Sequence, residues 1–266
     1  MRRILPLTVT LVISLVSSVP VFAQIDPEQT PIDITRANTV RDTNAPVIAF
    51  SYGVVNLQLT NTFGAKDETG RVIAEEWATL KATPQGVTPF ITVDGVRYEL
   101  LQFHFHTPSE HAVNGRRADM EVHFVHLSAQ GCSTGRPIVV LGALIEQGGA
   151  NRELQKLFPV GLPTHSGTAV NVSNLDLDAL LPKGQPTWRY EGSLTAPSNA
   201  CPSFAPLSTQ LVTGEFPEAV HWFLYGESLQ LPKRLIDRFQ DLFPEGNSRN
   251  LKLVGDRDIY ERRRGR

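Results

Sequence analysis

Residues 101–127 read LQFHFHTPSEHAVNGRRADMEVHFVHL, and both the fold and the chemistry of the chain turn on this stretch. It predicts two β-strands joined by a turn-bearing loop. At a strand's period of two, Gln102, His104 and His106 share one face, and Phe103 and Phe105 take the other. The return strand puts Glu121, His123 and Val125 on one face and Val122, Phe124 and His126 on the opposite one. Asn114-Gly115 is a strong turn signal inside a connection longer than a tight hairpin. If the strands are neighbours, His104, His106 and His123 converge on one point. Three neutral imidazoles can hold a tetrahedral Zn²⁺ and leave its fourth position open. Gln102 and Glu121 stand on the same face, each two residues from a ligand, placed to bond the second ring nitrogens.

Outward from this stretch, Met1 to Ala23 has the form of an export signal. Arg2 and Arg3 precede a largely apolar run to Phe22, and Val21-Phe22-Ala23 offers a small-residue cleavage site. The expectation is a leader cleaved at residue 23, and a periplasmic or secreted protein with no later run long enough to span a bilayer. Residues 24–266 are enough for one domain with a large core, and 41% of the chain is hydrophobic. A formal net charge of −2 gives no sign of a nucleic-acid partner, and the basic tail from Arg262 reads as a solvated end. The two cysteines, Cys132 and Cys201, lack C-x-x-C spacing, so neither a thiolate metal site nor a redox motif is expected.

Short strands with turn punctuation are predicted over Val47–Tyr52, Gly53–Asn61, Thr79–Ala82, Phe90–Val93 and Val96–Leu101, with Asp94-Gly95 turning the last pair. Ile138–Ile145 reads as a strand buried on both faces. Helices are expected at Asn151–Leu157, Leu175–Leu181 and, amphipathic, Leu229–Phe243, opened near Pro232 and closed at Pro244. The fold class is mainly β (α+β).

The order QFHFH, SEH, E-V-H-F-V-H resembles the α-class carbonic anhydrases, in a bacterial-type variant. Gln29–Ile34 (QTPIDI) is similar to that family's QSPIDI, and Trp188–Ala196 (WRYEGSLTA) to its W-x-Y-x-G-S-L-T-T. Asn247, Arg249 and Arg257 match residues that buttress the fold in relatives. The resemblance runs from Gln29 to about Arg257. It implies a central twisted, mostly antiparallel sheet with short peripheral helices and a conical cleft. It also implies zinc-dependent hydration of CO₂ to bicarbonate, with His104, His106 and His123 as ligands. Thr195 would donate its proton to Glu110 and orient the attacking hydroxide. Val125, Val140, Leu194 and Trp222 would form the apolar wall for CO₂. Relatives that carry a disulfide often place a cysteine where Cys201 lies, and this implies a Cys132–Cys201 bridge. His111 and His126 read as structural.

Three departures stand out. The amino-terminal arm is short, the segment between Thr195 and Trp222 is long, and the family's proton-shuttle histidine is absent. Anchoring on Phe63 puts Asn61 in the histidine's place. Two rival readings compete. One is a cupin-type enzyme with Glu110 as a ligand to iron or manganese. The other is an inactive relative serving as a binding domain.

Overall fold

The computed structural model describes residues 28–73, 77–133, 137–149, 151–159, 161–218 and 220–263. The expected leader, residues 1–23, lies outside them. The period-two patterning resolves into fifteen strands among the described residues. The first six are β1 (Asp33–Ile34), β2 (Thr39–Arg41), β3 (Ile48–Ser51), β4 (Val54–Asn61), β5 (Leu80–Gln85) and β6 (Phe90–Val93). The stretch quoted at the outset supplies β7 (Val96–His106), β8 (Ala112–Val113), β9 (Arg116–Arg117) and β10 (Met120–Ser128). Then follow β11 (Ile138–Gln147), β12 (Ala169–Asp176), β13 (Trp188–Gly192), β14 (Val220–Leu231) and β15 (Ile259–Glu261). Three short helices, α1 (Arg152–Lys156), α2 (Leu207–Thr213) and α3 (Lys233–Gln240), lie between strands in the chain.

Twelve strands form one twisted sheet, in the order β12-β4-β5-β7-β10-β11-β14-β13-β15-β2, with β6 also paired to β7 and β3 to β6. Its pairings are antiparallel except β11 with β14 and β15 with β2. β1, β8 and β9 make a separate small sheet. Both turn signals are two-residue hairpins in which each central residue has positive φ. Asp94 and Gly95 sit at 48° and 84°, Asn114 and Gly115 at 51° and 76°. Asparagine, aspartate and glycine tolerate that region, and its backbone twist matches that of the flanking strands.

The pleat sorts the core into two layers. Phe103, Phe105, Val122 and Phe124 pack on one face with Leu141, Phe223 and Phe239 of α3. Val125, Val140, Tyr190, Leu194, Phe216 and Trp222 pack on the other. β11 lies between β10 and β14, and every residue from Ile138 to Ile145 is buried. That accounts for its continuous apolar run.

Two helix expectations need correction. Leu229–Leu231 are the end of β14, with Leu229 and Leu231 buried on either side of exposed Gln230, and α3 begins only after Pro232. The apolar spacing ran unbroken across a strand-to-helix junction. Leu175–Leu181 is no α-helix: Leu175 and Asp176 close β12, and only a 3₁₀ turn covers Leu177–Ala179, capped by the Asp176 side chain. At Asn151 the helix expectation holds, because its side chain accepts from the amides of Glu153 and Leu154 and caps α1.

His126 belongs to the far layer. Its Nδ1 donates to the Val139 carbonyl at 3.2 Å, leaving Nε2 to accept from the Tyr52 hydroxyl at 2.6 Å. Burial pushes its pKa down to about 3. An unfolded imidazole titrates near 6.5, so below that value the unfolded chain binds the extra proton. His126 therefore contributes stability that is present above pH ~6.5 and is lost as pH falls toward 3, at up to ~1.4 kcal/mol per pH unit. In urea unfolding at pH 7 and pH 4.5, His126→Phe should show a shallower loss than the parent. Equal losses would contradict this assignment.

Candidate metal centre and its cleft

Strand register builds the site. His104 on β7 lies directly opposite His123 on β10, and His106 opposite Glu121. The ligand atoms of His104, His106 and His123 all lie within 4.8 Å of one another. Each ring is fixed through one nitrogen. His104 Nδ1 bonds Gln102 Oε1 at 2.9 Å, His106 Nδ1 bonds the Asn247 carbonyl at 2.9 Å, and His123 Nε2 bonds Glu121 Oε1 at 2.9 Å. This leaves Nε2 of His104, Nε2 of His106 and Nδ1 of His123 for a common ligand. His106 Nε2 is buried with no hydrogen-bond partner. A structural histidine would satisfy that nitrogen, whereas a metal ligand keeps it bare. Burial, then the His106 and His123 rings, hold His104 well below the usual imidazole pKa, and burial also lowers His106. Neutral imidazole is the form that binds metal. The donor set fits zinc.

Behind His123 the polar chain continues. Burial alone would raise the Glu121 pKa, but the His111 and His123 rings beside it hold it well below the carboxylate range. Glu121 Oε1 also accepts from His111 Nδ1 at 2.7 Å, and Oε2 from the His111 amide at 2.8 Å. His111 Nε2 meets the Tyr190 hydroxyl at 2.7 Å, which lies 3.2 Å from Thr30 Oγ1. Both ring nitrogens of His111 are thus hydrogen-bonded. Gly142 stands opposite His123 on β11, where a Cβ would come within 3.1 Å of Glu121 Oε1. The absence of a side chain there makes room for this carboxylate.

Glu110 is buried beneath the site. Its Oε1 accepts from the Arg249 amide at 2.8 Å, while its Oε2 has no hydrogen-bond partner and lies 3.9 Å from His123 Nδ1. The Arg249 guanidinium donates to the Thr30 carbonyl and Gln29 Oε1, so the QTPIDI segment and the N-x-R segment lock together around Glu110. Thr195 shares the cleft with Glu110, but no hydrogen bond joins the two side chains in this structure.

The site opens into a cleft of ≈ 320 Å³. Val125, Val140, Leu194 and Trp222 line it, and a continuous register places Val125, Val140 and Trp222 side by side across β10, β11 and β14. The opposite flank is polar, with Thr62, Thr79, Lys81 and Gln102. Asn61 is a correction. It is buried away from the cleft, its Nδ2 donating to the Pro163 carbonyl at 3.1 Å and its Oδ1 accepting from the Phe63 amide. Its immediate neighbour Thr62 lines the cleft, so the segment reaches the wall but Asn61 points away from it. Among the described residues, no histidine other than the triad lines the cleft.

The long segment after Thr195 forms part of the rim through Pro197, Ser198 and Asn199. Cys201 bridges Cys132, with Cα atoms 5.6 Å apart, and ties this segment to the loop leaving β10. Gln210 of α2 holds it from the other side, exchanging hydrogen bonds with the Ser198 backbone. Neither Lys81 nor the Asn247 carbonyl was singled out from sequence. Alternation over Thr79–Ala82 would have found Lys81, since Leu80 and Ala82 are buried in the core while Thr79 and Lys81 face the cleft.

Known proteins agree with this geometry. The family model for eukaryotic-type carbonic anhydrase matches residues 22–201. A carbonic anhydrase of Nostoc sp. is 30% identical over 242 residues, 90% of this chain and 77% of that protein. One of Klebsiella pneumoniae is 44% identical over 107 residues, which span 40% of this chain and only 42% of that protein. Among solved structures, the α-carbonic anhydrase of Thermovibrio ammonificans aligns with a TM-score of 0.69 and 29% identity, covering 90% of this chain and 88% of that one. That of Photobacterium profundum gives 0.67 and 28%, covering 90% and 91%. The family model and the Nostoc relative weigh against the cupin reading. By its sequence, its strand order and its three converging histidines, the chain belongs to the eukaryotic-type (α) carbonic anhydrase family.

Proposed function

We propose that this protein interconverts CO₂ and bicarbonate at a zinc ion held by His104, His106 and His123. The observation that carries the reading is the triad itself, with one nitrogen of each ring fixed by Gln102, Asn247 or Glu121 and the other turned to a shared point. Carbonic anhydrases are themselves the standard case in which a bound zinc supplies Lewis acidity that lowers the pKa of its water to about 7. The protein's own groups do the rest. An ionised Glu110 can only accept a hydrogen bond, and its Oε2 is the acceptor still open. A Thr195 hydroxyl donating to it turns its lone pairs toward the attacking oxygen and fixes that oxygen's approach. CO₂ is neutral and linear, and the Val125, Val140, Leu194 and Trp222 wall takes it without demanding hydrogen bonds.

Residues 1–23 act in this reading as a cleaved leader, and the protein works in a periplasm or outside the cell. The Cys132–Cys201 bridge fits an oxidising compartment, and no described helix is long and apolar enough to cross a membrane.

Each hydration turnover releases a proton, and among the described residues the cleft wall offers no histidine beyond the triad to carry it. Imidazole is the side chain that both takes and releases a proton near neutrality. Stopped-flow CO₂ hydration by the zinc-loaded protein should therefore rise with the concentration of an imidazole-type buffer. A high rate that stays flat with buffer would reveal another internal route. No hydration above the uncatalysed rate would refute the function itself.

A further inference from the structure

Lys81 stands on β5 directly opposite His104, on the same sheet face as the triad. Among the described residues it is the only lysine or arginine that lines the cleft, and no carboxylate or hydrogen-bond acceptor there engages its ammonium group. Of the two acidic groups of the floor, Glu121 is committed to His111 and His123, and Glu110 binds the Arg249 amide through Oε1. A lysine ammonium is a compact cation with three donors and no acceptor, which suits it to a negatively charged guest.

The cleft's two flanks differ in chemistry, and so do the two carbon species of the proposed reaction. CO₂ is uncharged and suits the apolar flank. Bicarbonate is a monovalent anion whose free oxygens need a counter-charge or donors. We propose that Lys81 is a binding residue for the anion, drawing bicarbonate and other small monovalent anions to the polar flank beside His104, Thr79 and Gln102. This proposal rests on the CO₂/bicarbonate reading for the identity of the anion, while the electrostatics stand independently of it. An ammonium group in a partly enclosed cleft acts through a lower effective dielectric than one on the open surface, so its attraction is of useful size.

The test pairs direct binding with kinetics on the zinc-loaded protein, using thiocyanate as an unreactive monovalent anion. Calorimetric titration should give Lys81→Gln a thiocyanate Kd about five- to tenfold weaker than the parent at low salt, an order-of-magnitude Coulomb expectation. Lys81→Arg, which keeps the charge, should stay close to the parent. The gap between Lys81→Gln and the parent should narrow as ionic strength rises, because the Debye length shrinks from ~30 Å at 0.01 M to ~8 Å at 0.15 M. In dehydration assays Lys81→Gln should raise the KM for bicarbonate, whereas the KM for CO₂ in hydration should hold. A Lys81→Gln protein with the parent's thiocyanate Kd at every salt concentration overturns the proposal, even if hydration is intact. A parent protein inactive toward CO₂ would sink the catalytic reading alone, and the calorimetry would still decide the role of Lys81.

Discussion

Replacing His104, His106 or His123 by alanine is expected to abolish CO₂ hydration and most zinc retention. Each ring is one of three donors, and each is held by its own partner, so no neighbouring group can take its place. His111 is the nearest alternative imidazole, but Glu121 and Tyr190 occupy both of its nitrogens. Loss of an outer partner costs roughly 10- to 100-fold in metal affinity or activity, and loss of a ligand must exceed that. Gln102→Ala supplies the graded comparison, with zinc affinity weakened within that range. The check is metal content after dialysis alongside stopped-flow activity. A His123→Ala protein that keeps its zinc and its full rate would remove His123 from the ligand set.

Thr195→Ala is expected to keep zinc at the parent level and lose about 10²-fold in kcat, the scale of losing one preorganised hydrogen-bonding group at a reacting oxygen. The side chain touches none of the three ligand rings through a hydrogen bond, so metal content should not fall. Glu110 is coupled to the same function through its open Oε2. Glu110→Gln should therefore depress the rate in the parent background and add little once Thr195 is already alanine. Full additivity in that double variant would mean that the two residues act separately.

The ligand triad was legible because a strand has a strict period and a site on one face must respect it. Gln102, His104, His106, Glu121, His123 and Val125 all fell on the side where the structure has them. The reading was weaker wherever the partner is a backbone atom or lies far along the chain. The Asn247 carbonyl that orients His106 comes from 141 residues away, and no side-chain pattern announces it. β14 was hidden because its last apolar residues merge with those of α3 across Pro232, giving one apparent helix where there are two elements. On the polar cleft wall the miss is one residue wide: Asn61 turns inward to the Pro163 carbonyl, while Thr62 lines the wall with Thr79 and Lys81. The Cys132–Cys201 bridge came from the resemblance, since two cysteines 69 residues apart specify nothing by spacing alone.

Zinc added back in known increments to chelator-stripped protein, with CO₂ hydration followed at each step, tests the central claim most directly. The account predicts activity that is absent without metal, rises linearly and breaks at one zinc per chain. A protein that binds one zinc at the triad and still fails to hydrate CO₂, or whose activity is indifferent to zinc, would contradict it.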